Sequence, residues 1–425
     1  MSNSKVMQIG LWLTIANVLS GLLGYAYQIL MGRMLAPSDF ALFGAITALI
    51  MIFGAPLNAL SLLVSRRVSS LSVQNHPHVL LRSFYNRTII VVSLIVLILI
   101  GIFAIYIEQL QAYLKSDELS PLVIFILAMS ISAFLVINNG FFQGRKMFGL
   151  LSAANLLINL IKIAVSCYLV YLGFGVAGAI AGFLFSTIII WCIGAILTLR
   201  SLPLGEPIGE STTEPFPFKT IVPVLIATTA FAIMTQLDMI LVKHFFSPDE
   251  AGMYASVSVL GKAILYLPGG IVLALFPFVS ENDANGKSSA NLLIQSLLLT
   301  FALCGSVALI YYFFSDWIIL QLFGEEYAEA GSLLRWYGLA ILPMAFVLVA
   351  EYFLIAKGRV VFAWLFAIAM PIQIFAIMKF HGELWMIMAI LGVSGAMLCF
   401  LGYSFLAFEY LREKTKSKAH LGNFS

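Results

Sequence analysis

The sequence predicts an all-α, polytopic membrane protein of about twelve transmembrane helices, arranged as two six-helix lobes. Three observations carry that prediction. First, 61% of the 425 residues are hydrophobic and only 10% are charged, where a soluble domain carries roughly 25%. With a mean hydropathy of +1.02, the chain has too little charge to cover its own surface in water, so lipid must solvate most of it. Second, apolar runs of spanning length recur along the whole chain. Third, a segment rich in proline and glutamate divides those runs six and six.

A helix needs roughly 20 apolar residues to cross a bilayer. Such runs cover about 9–32, 39–64, 88–107, 121–139, 151–172, 174–199, 220–244, 252–279, 290–313, 330–356, 360–379 and 384–408. In hydrocarbon every backbone N–H and C=O must find an internal partner, so runs this long are helices. The period-2 alternation of a β-barrel strand is absent. The first run is too long for the apolar core of a cleavable signal, about 7–15 residues, and reads as a retained helix.

Orientation follows from Lys and Arg. With the N-terminus inside, sixteen of the 23 fall in inside loops and tails, and four, Arg33, Lys115, Lys243 and Lys379, fall outside. That bias places both termini in the cytoplasm. The linker over about 201–219 contains Pro203, Pro207, Pro215 and Pro217 with Glu206, Glu210 and Glu214, the composition of an exposed tether. The expected units are therefore 1–200, a cytoplasmic linker 201–219, 220–408, and a cytoplasmic tail 409–425. The basic stretch 65–87 is expected to be a loop along the membrane surface.

The halves also resemble each other. At an offset of 211, Pro37 meets Pro248, Asp39 meets Glu250 and Phe43 meets Tyr254. Six spans separate the copies, so they share one orientation, and repeats related by an axis along the membrane normal are a transporter plan.

Ionisable groups inside spans are expensive and mark candidate sites. Span five carries Asn155, Asn159, Lys162 and Ser166 at spacings of 4, 3 and 4, which puts them on one face with Lys162 near mid-membrane. Span eight carries Tyr254, Ser258, Lys262 and Tyr266. Two deep lysines, one from each half, suit an anion such as phosphate. Two unrelated buried pairs are the structural alternative. Span one carries Asn17, Gly21, Gly24 and Gln28 on one face, as cavity lining or as small-residue helix packing. Asp238 in span seven could pair with a lysine, carry a proton or touch substrate. Glu351 is expected to pair locally with Lys357 or Arg359.

Other chemistries are not signalled. Gly286-Lys287-Ser288 ends like a phosphate-binding loop, but position 281 is Glu281 where that motif needs glycine. The five histidines form no metal-ligand spacing. The four cysteines sit in apolar runs without CxxC pairing and read as core residues. A net charge of +3 suggests no nucleic-acid partner. No catalytic residue, metal or cofactor is expected.

Four segments carry a family resemblance: Gly32-Arg33-Met34-Leu35-Ala36-Pro37-Ser38-Asp39-Phe40, Gln236-Leu237-Asp238-Met239-Ile240-Leu241-Val242, Ser247-Pro248-Asp249-Glu250-Ala251-Gly252-Met253-Tyr254, and Leu354-Ile355-Ala356-Lys357-Gly358-Arg359. Through them, and through the twelve-span plan, the chain resembles the polysaccharide transporter family. These are the Wzx-like O-antigen and oligosaccharide flippases of the multidrug/oligosaccharidyl-lipid/polysaccharide exporter superfamily. The resemblance implies a MATE-like fold of two six-helix lobes. It implies a polyprenyl-pyrophosphate-linked oligosaccharide flipped to the outer leaflet by alternating access, within a bacterial or archaeal cytoplasmic membrane. Membrane lipid and a polysaccharide polymerase machinery are the implied partners. The competing readings are a cation-coupled multidrug exporter of the same fold, a major-facilitator transporter, and a membrane-embedded enzyme acting on lipid-linked sugars. The major-facilitator reading lacks its basic motif at Ser65-Arg66-Arg67-Val68-Ser69-Ser70, and the enzyme reading lacks a large outside loop, the longest expected ones lying near 108–120 and 314–329.

Overall fold

A computed structural model describes residues 3–74, 77–202, 218–271, 279, 281–282, 289–357 and 361–422. Among these residues the protein is helical, with no strand. The long helices are α1 (Asn3–Met34), α2 (Pro37–Leu71), α3 (Pro77–Tyr113), α4 (Ser120–Gly144), α5 (Phe148–Tyr171), α6 (Gly175–Arg200), α7 (Phe218–Phe245), α8 (Pro248–Tyr266), α9 (Ala290–Leu322), α10 (Ala330–Ala356), α11 (Val361–Lys379) and α12 (Leu384–Gly422). Among the described residues ten of them contain a stretch long and apolar enough to cross a membrane. In α8, Asp249, Glu250 and Lys262 fall within 19 residues. Bulky apolar side chains lie open on the outer faces, among them Leu97, 67% exposed, and Phe375, 66% exposed. In water that surface would be untenable; in lipid it is the expected one.

The chain divides into two compact units: Met1–Phe218 with Phe246–Gly252, and Lys219–Phe245 with Met253–Ser425. Most of the proposed linker, 203–217, lies outside the described residues. In the first unit α4 is the hub, packed against α2, α3, α5 and α6, while α1 packs on α5. In the second unit α10 holds the corresponding position, packed against α9, α11 and α12. The internal repeat takes structural form here. Pro37 and Pro248 open α2 and α8, where a missing N–H costs nothing and a fixed φ suits the helix. Asp39 and Glu250 lie in the first turns, near the positive end of the helix dipole. Phe43 and Tyr254 are buried.

Two loop expectations are corrected. The stretch 65–87 is no surface loop: α2 continues to Leu71 and α3 starts at Pro77. Arg66 and Arg67 break the hydropathy but not the helix, because Val64, Val68 and Leu71 stay buried on one face against Leu81 and Tyr85 of α3. Likewise α9 passes through the expected outer loop at 314–329, kinking at Phe314 (φ −119°, ψ 17°) and ending at Leu322. The segment 409–425 is helical as far as Gly422.

Candidate functional site

Lys162 lies in the first unit and Lys262 in the second, and each is described within its own unit.

In the second unit the sequence brings α7 and α8 together as a hairpin, and α10 closes against it. Asp238 of α7 is fully buried and accepts from three donors. Lys262 Nζ lies 2.8 Å from Oδ1, an ion pair. The Tyr254 and Tyr337 hydroxyls donate to Oδ2 at 2.8 Å and 3.1 Å. Lys262 also reaches Gln236 Oε1 at 3.4 Å. The two phenol rings meet edge to face with centroids 5.7 Å apart. Tyr337 can come this close because α8 has Gly261 beneath it, where a Cβ would collide with the tyrosine ring. A buried carboxylate needs charge-assisted partners to offset lost hydration, and here every partner comes from the protein. Of the uses open to Asp238, the structure forms the pair with lysine. Tyr266, one turn beyond Lys262, lies half exposed at the end of α8.

Behind this cluster, Gln373 of α11 donates to Met234 O of α7 at 2.7 Å and accepts from Ser394 of α12 at 2.9 Å. One buried amide thus joins three helices. Glu351 of α10 is 2% exposed, and its Oε1 has no hydrogen-bond partner. The local ion pair expected for it with Lys357 is not formed; the Lys357 ammonium instead lies over the Phe353 ring. Arg359 lies outside the described residues.

In the first unit Lys162 of α5 has different company. Its Nζ sits 4.5 Å from the centre of the Tyr27 ring of α1. No carboxylate among the described residues pairs with it. Tyr27 is fixed from two sides. Its hydroxyl donates to Ala179 O of α6 at 2.8 Å, and its ring packs edge-on against Phe43 of α2. Ser166, one turn beyond Lys162, donates to the same carbonyl at 2.7 Å. α5 and α6 approach closely here because Gly182 has no Cβ; one would meet Ser166 Oγ and, at 2.7 Å, Lys162 O. The cation–π contact orients the ammonium without neutralising it.

The other expected residues fall along the same two helices. Asn155 and Asn159 are half-buried on α5, and Asn159 Nδ2 donates back to Asn155 O at 3.0 Å. Asn17 is exposed on α1; Gln28 is half-buried with Oε1 unpartnered. The tight packing that Gly21 and Gly24 would permit does not occur, since a Cβ at either would meet nothing within 4 Å. Tyr27, Tyr254 and Tyr337 are the residues to which sequence reasoning assigned no site role. Tyr254 carried a signal, its i, i+4 relation to Ser258 and Lys262. Tyr337 carried none, because it reaches Asp238 across 99 residues of chain.

The family model described as polysaccharide biosynthesis protein matches residues 6–283. No curated protein matches the chain. Among solved structures, the inward-facing conformation of a multidrug resistance MATE family transporter of the MOP superfamily is similar with a TM-score of 0.79 at 14% identity, covering 94% of this chain and 96% of that one. Lipid II flippase MurJ, in an inward closed conformation, is similar with a TM-score of 0.73 at 16% identity, covering 93% and 87%. The outward-facing conformation of a MATE transporter gives 0.68 at 14%, covering 95% of each chain. Those identities speak for the fold alone. The family match spans well over half of the sequence, and the chain belongs to the polysaccharide biosynthesis protein family, built on a fold it shares with MATE transporters and MurJ.

Proposed function

We propose that this protein is a flippase that moves polyprenyl-pyrophosphate-linked oligosaccharide from the cytoplasmic to the outer leaflet by alternating access, for cell-surface polysaccharide synthesis. One observation carries the reading beyond family and fold: the Lys162 ammonium, inside a transmembrane helix, rests on an aromatic ring with no carboxylate partner among the described residues. A charge at mid-membrane costs roughly 2.5–3.5 kcal/mol, and a cation–π contact returns only about 0.5–2 kcal/mol. A diphosphate in transit would supply the missing anion, to which lysine acts as a point charge. Asn155, Asn159, Asn17 and Gln28 offer amides to sugar hydroxyls along the same pair of helices. Lys262, Asp238 and Tyr266 would act from the second unit, where Asp238 holds Lys262 until a stronger anion competes. A polysaccharide polymerase is the proposed consumer of the product.

The test is flipping per folded molecule in proteoliposomes charged with a lipid-linked oligosaccharide. Wild-type protein moves it, and Lys162→Ala loses at least about tenfold. Equal rates would overturn the role of Lys162. Failure of the wild type to move the lipid, with normal surface glycan in cells lacking the protein, would overturn the flippase reading.

Glu351 favours a second reading. A buried carboxyl with an unpartnered oxygen suits a proton or a cationic compound, as a cation-coupled exporter would need. That reading expects Glu351→Gln to abolish drug efflux and Lys162→Ala to leave it unchanged.

A further inference from the structure

One end of the first unit gathers an unbalanced positive charge. The last turns of α2, the first turns of α3 and the ends of α4 and α6 meet there. A Cβ at Gly144, the last residue of α4, would lie 2.7 Å from Val68 Cβ of α2. Arg82 of α3 donates to Leu199 O and Leu202 O at the end of α6, both at 3.2 Å. Arg145, just after α4, donates to Ser201 Oγ at 2.6 Å. Leu71, Leu81 and Leu202 close the apolar core beneath.

Around this junction stand Arg66, Arg67, Arg87, Lys146 and Arg200, in addition to the two arginines that bind α6. None of the sequence stretches 61–90, 138–150 and 195–202 contains Asp or Glu. Arg66, Arg87, Lys146 and Arg200 are exposed. None of the five makes an ion pair among the described residues. Arg82 and Arg145 answer the needs of a helix end, where cations are favourable. The remaining five carry like charge, and among the described residues no protein anion pairs with them. α2 and α3 are membrane-crossing helices, so their charged ends stand at headgroup depth, beside a layer of phosphates.

We infer that this junction is a binding site for anionic phospholipid headgroups of the adjacent leaflet. The phosphates sit among Arg66, Arg67, Arg87, Lys146 and Arg200, while Arg82 and Arg145 hold the helix ends in place. Arginine suits the role because its guanidinium presents forked donors to phosphate oxygens. The site is independent of what the protein carries.

The test uses full-length protein in nanodiscs of phosphatidylcholine with or without phosphatidylglycerol. It compares wild type with the triple variant Arg66→Gln/Arg67→Gln/Arg87→Gln. These three residues cap no helix end, so both proteins should unfold at the same temperature in pure phosphatidylcholine. Native mass spectrometry then counts retained lipids. Wild type should retain phosphatidylglycerol in preference to phosphatidylcholine, and added salt should weaken that preference. The variant should bind phosphatidylglycerol about fivefold more weakly per cation removed, roughly a hundredfold in all. Equal retention by the two proteins, or no preference in the wild type, overturns the site. So does a preference that appears only after Glu206, Glu210 and Glu214 are changed to Gln, because the chain's own linker would then be the occupant.

Discussion

The two halves repeat each other in helix order and in the prolines that open α2 and α8, yet they hold their deep lysines in opposite ways. Lys262 is enclosed: a carboxylate at 2.8 Å takes its charge, and two phenols complete that carboxylate. Lys162 lies against a ring face, with no carboxylate paired to it among the described residues. The difference separates two uses of a buried cation. A paired cation ties helices together, and removing its partner leaves a charge stranded in low dielectric. A cation oriented by an aromatic ring keeps its charge available to a visitor. Repeat ancestry therefore does not predict equal roles for the two lysines; their partners do.

The comparison breaks most readily at Asp238. Asp238→Ala strands the Lys262 ammonium and should destabilise the detergent-solubilised protein by about 3–5 kcal/mol, read from its thermal or denaturant unfolding. Replacing both members by Met should recover most of that loss, because a well-packed apolar pair is often as stable as a buried ion pair. If the double variant is no better than Asp238→Ala, the pair is not the linchpin of the second unit. Next in size, Tyr254→Phe and Tyr337→Phe each remove one hydrogen bond to a charged acceptor, for a loss of about 1.5–3 kcal/mol. Together they should cost other than their sum, since both hydroxyls serve the same oxygen. Gly261→Ala should fall in the range of about 1–3 kcal/mol by pushing Tyr337 away from Asp238. The smallest effect on stability belongs to Lys162→Ala. It gives up a contact worth about 0.5–2 kcal/mol but also removes a buried charge. Its unfolding temperature should stay near wild type while flipping falls. A large loss of stability at Lys162 would erase the contrast between the halves.

Much of the fold was legible because hydrophobicity and backbone hydrogen bonding demand the same thing in lipid. Each long apolar run had one solution, a helix, and the proline pair at 37 and 248 marked two helix starts. The stretch at Arg66 and Arg67 was misread because a hydropathy scan treats charge as the end of a span. The helix continues there through its own hydrogen bonds, with Val64, Val68 and Leu71 still facing the core. The site was legible in part. A lysine or aspartate within an apolar helix stands out, and Lys162, Lys262 and Asp238 were visible for that reason. Their pairing was not. Asp238 had two deep lysines to choose from, and the choice depends on which helices meet. Tyr27 and Tyr337 were hidden further, since a tyrosine amid phenylalanines and leucines reads as bulk until its hydroxyl or ring face is seen against a partner.

α12 runs unbroken for 39 residues, about 58 Å at 1.5 Å per residue, whereas a hydrocarbon core measures about 30 Å. A helix of that length is a stiff rod whose far end turns with its membrane-embedded part. A helical reporter spliced in phase after Gly422 would inherit a fixed azimuth, each added residue rotating it by about 100°. That turns a tail into a goniometer, a place to mount a fiducial for single-particle imaging or a polarised fluorophore that reports rotation of the second unit during transport.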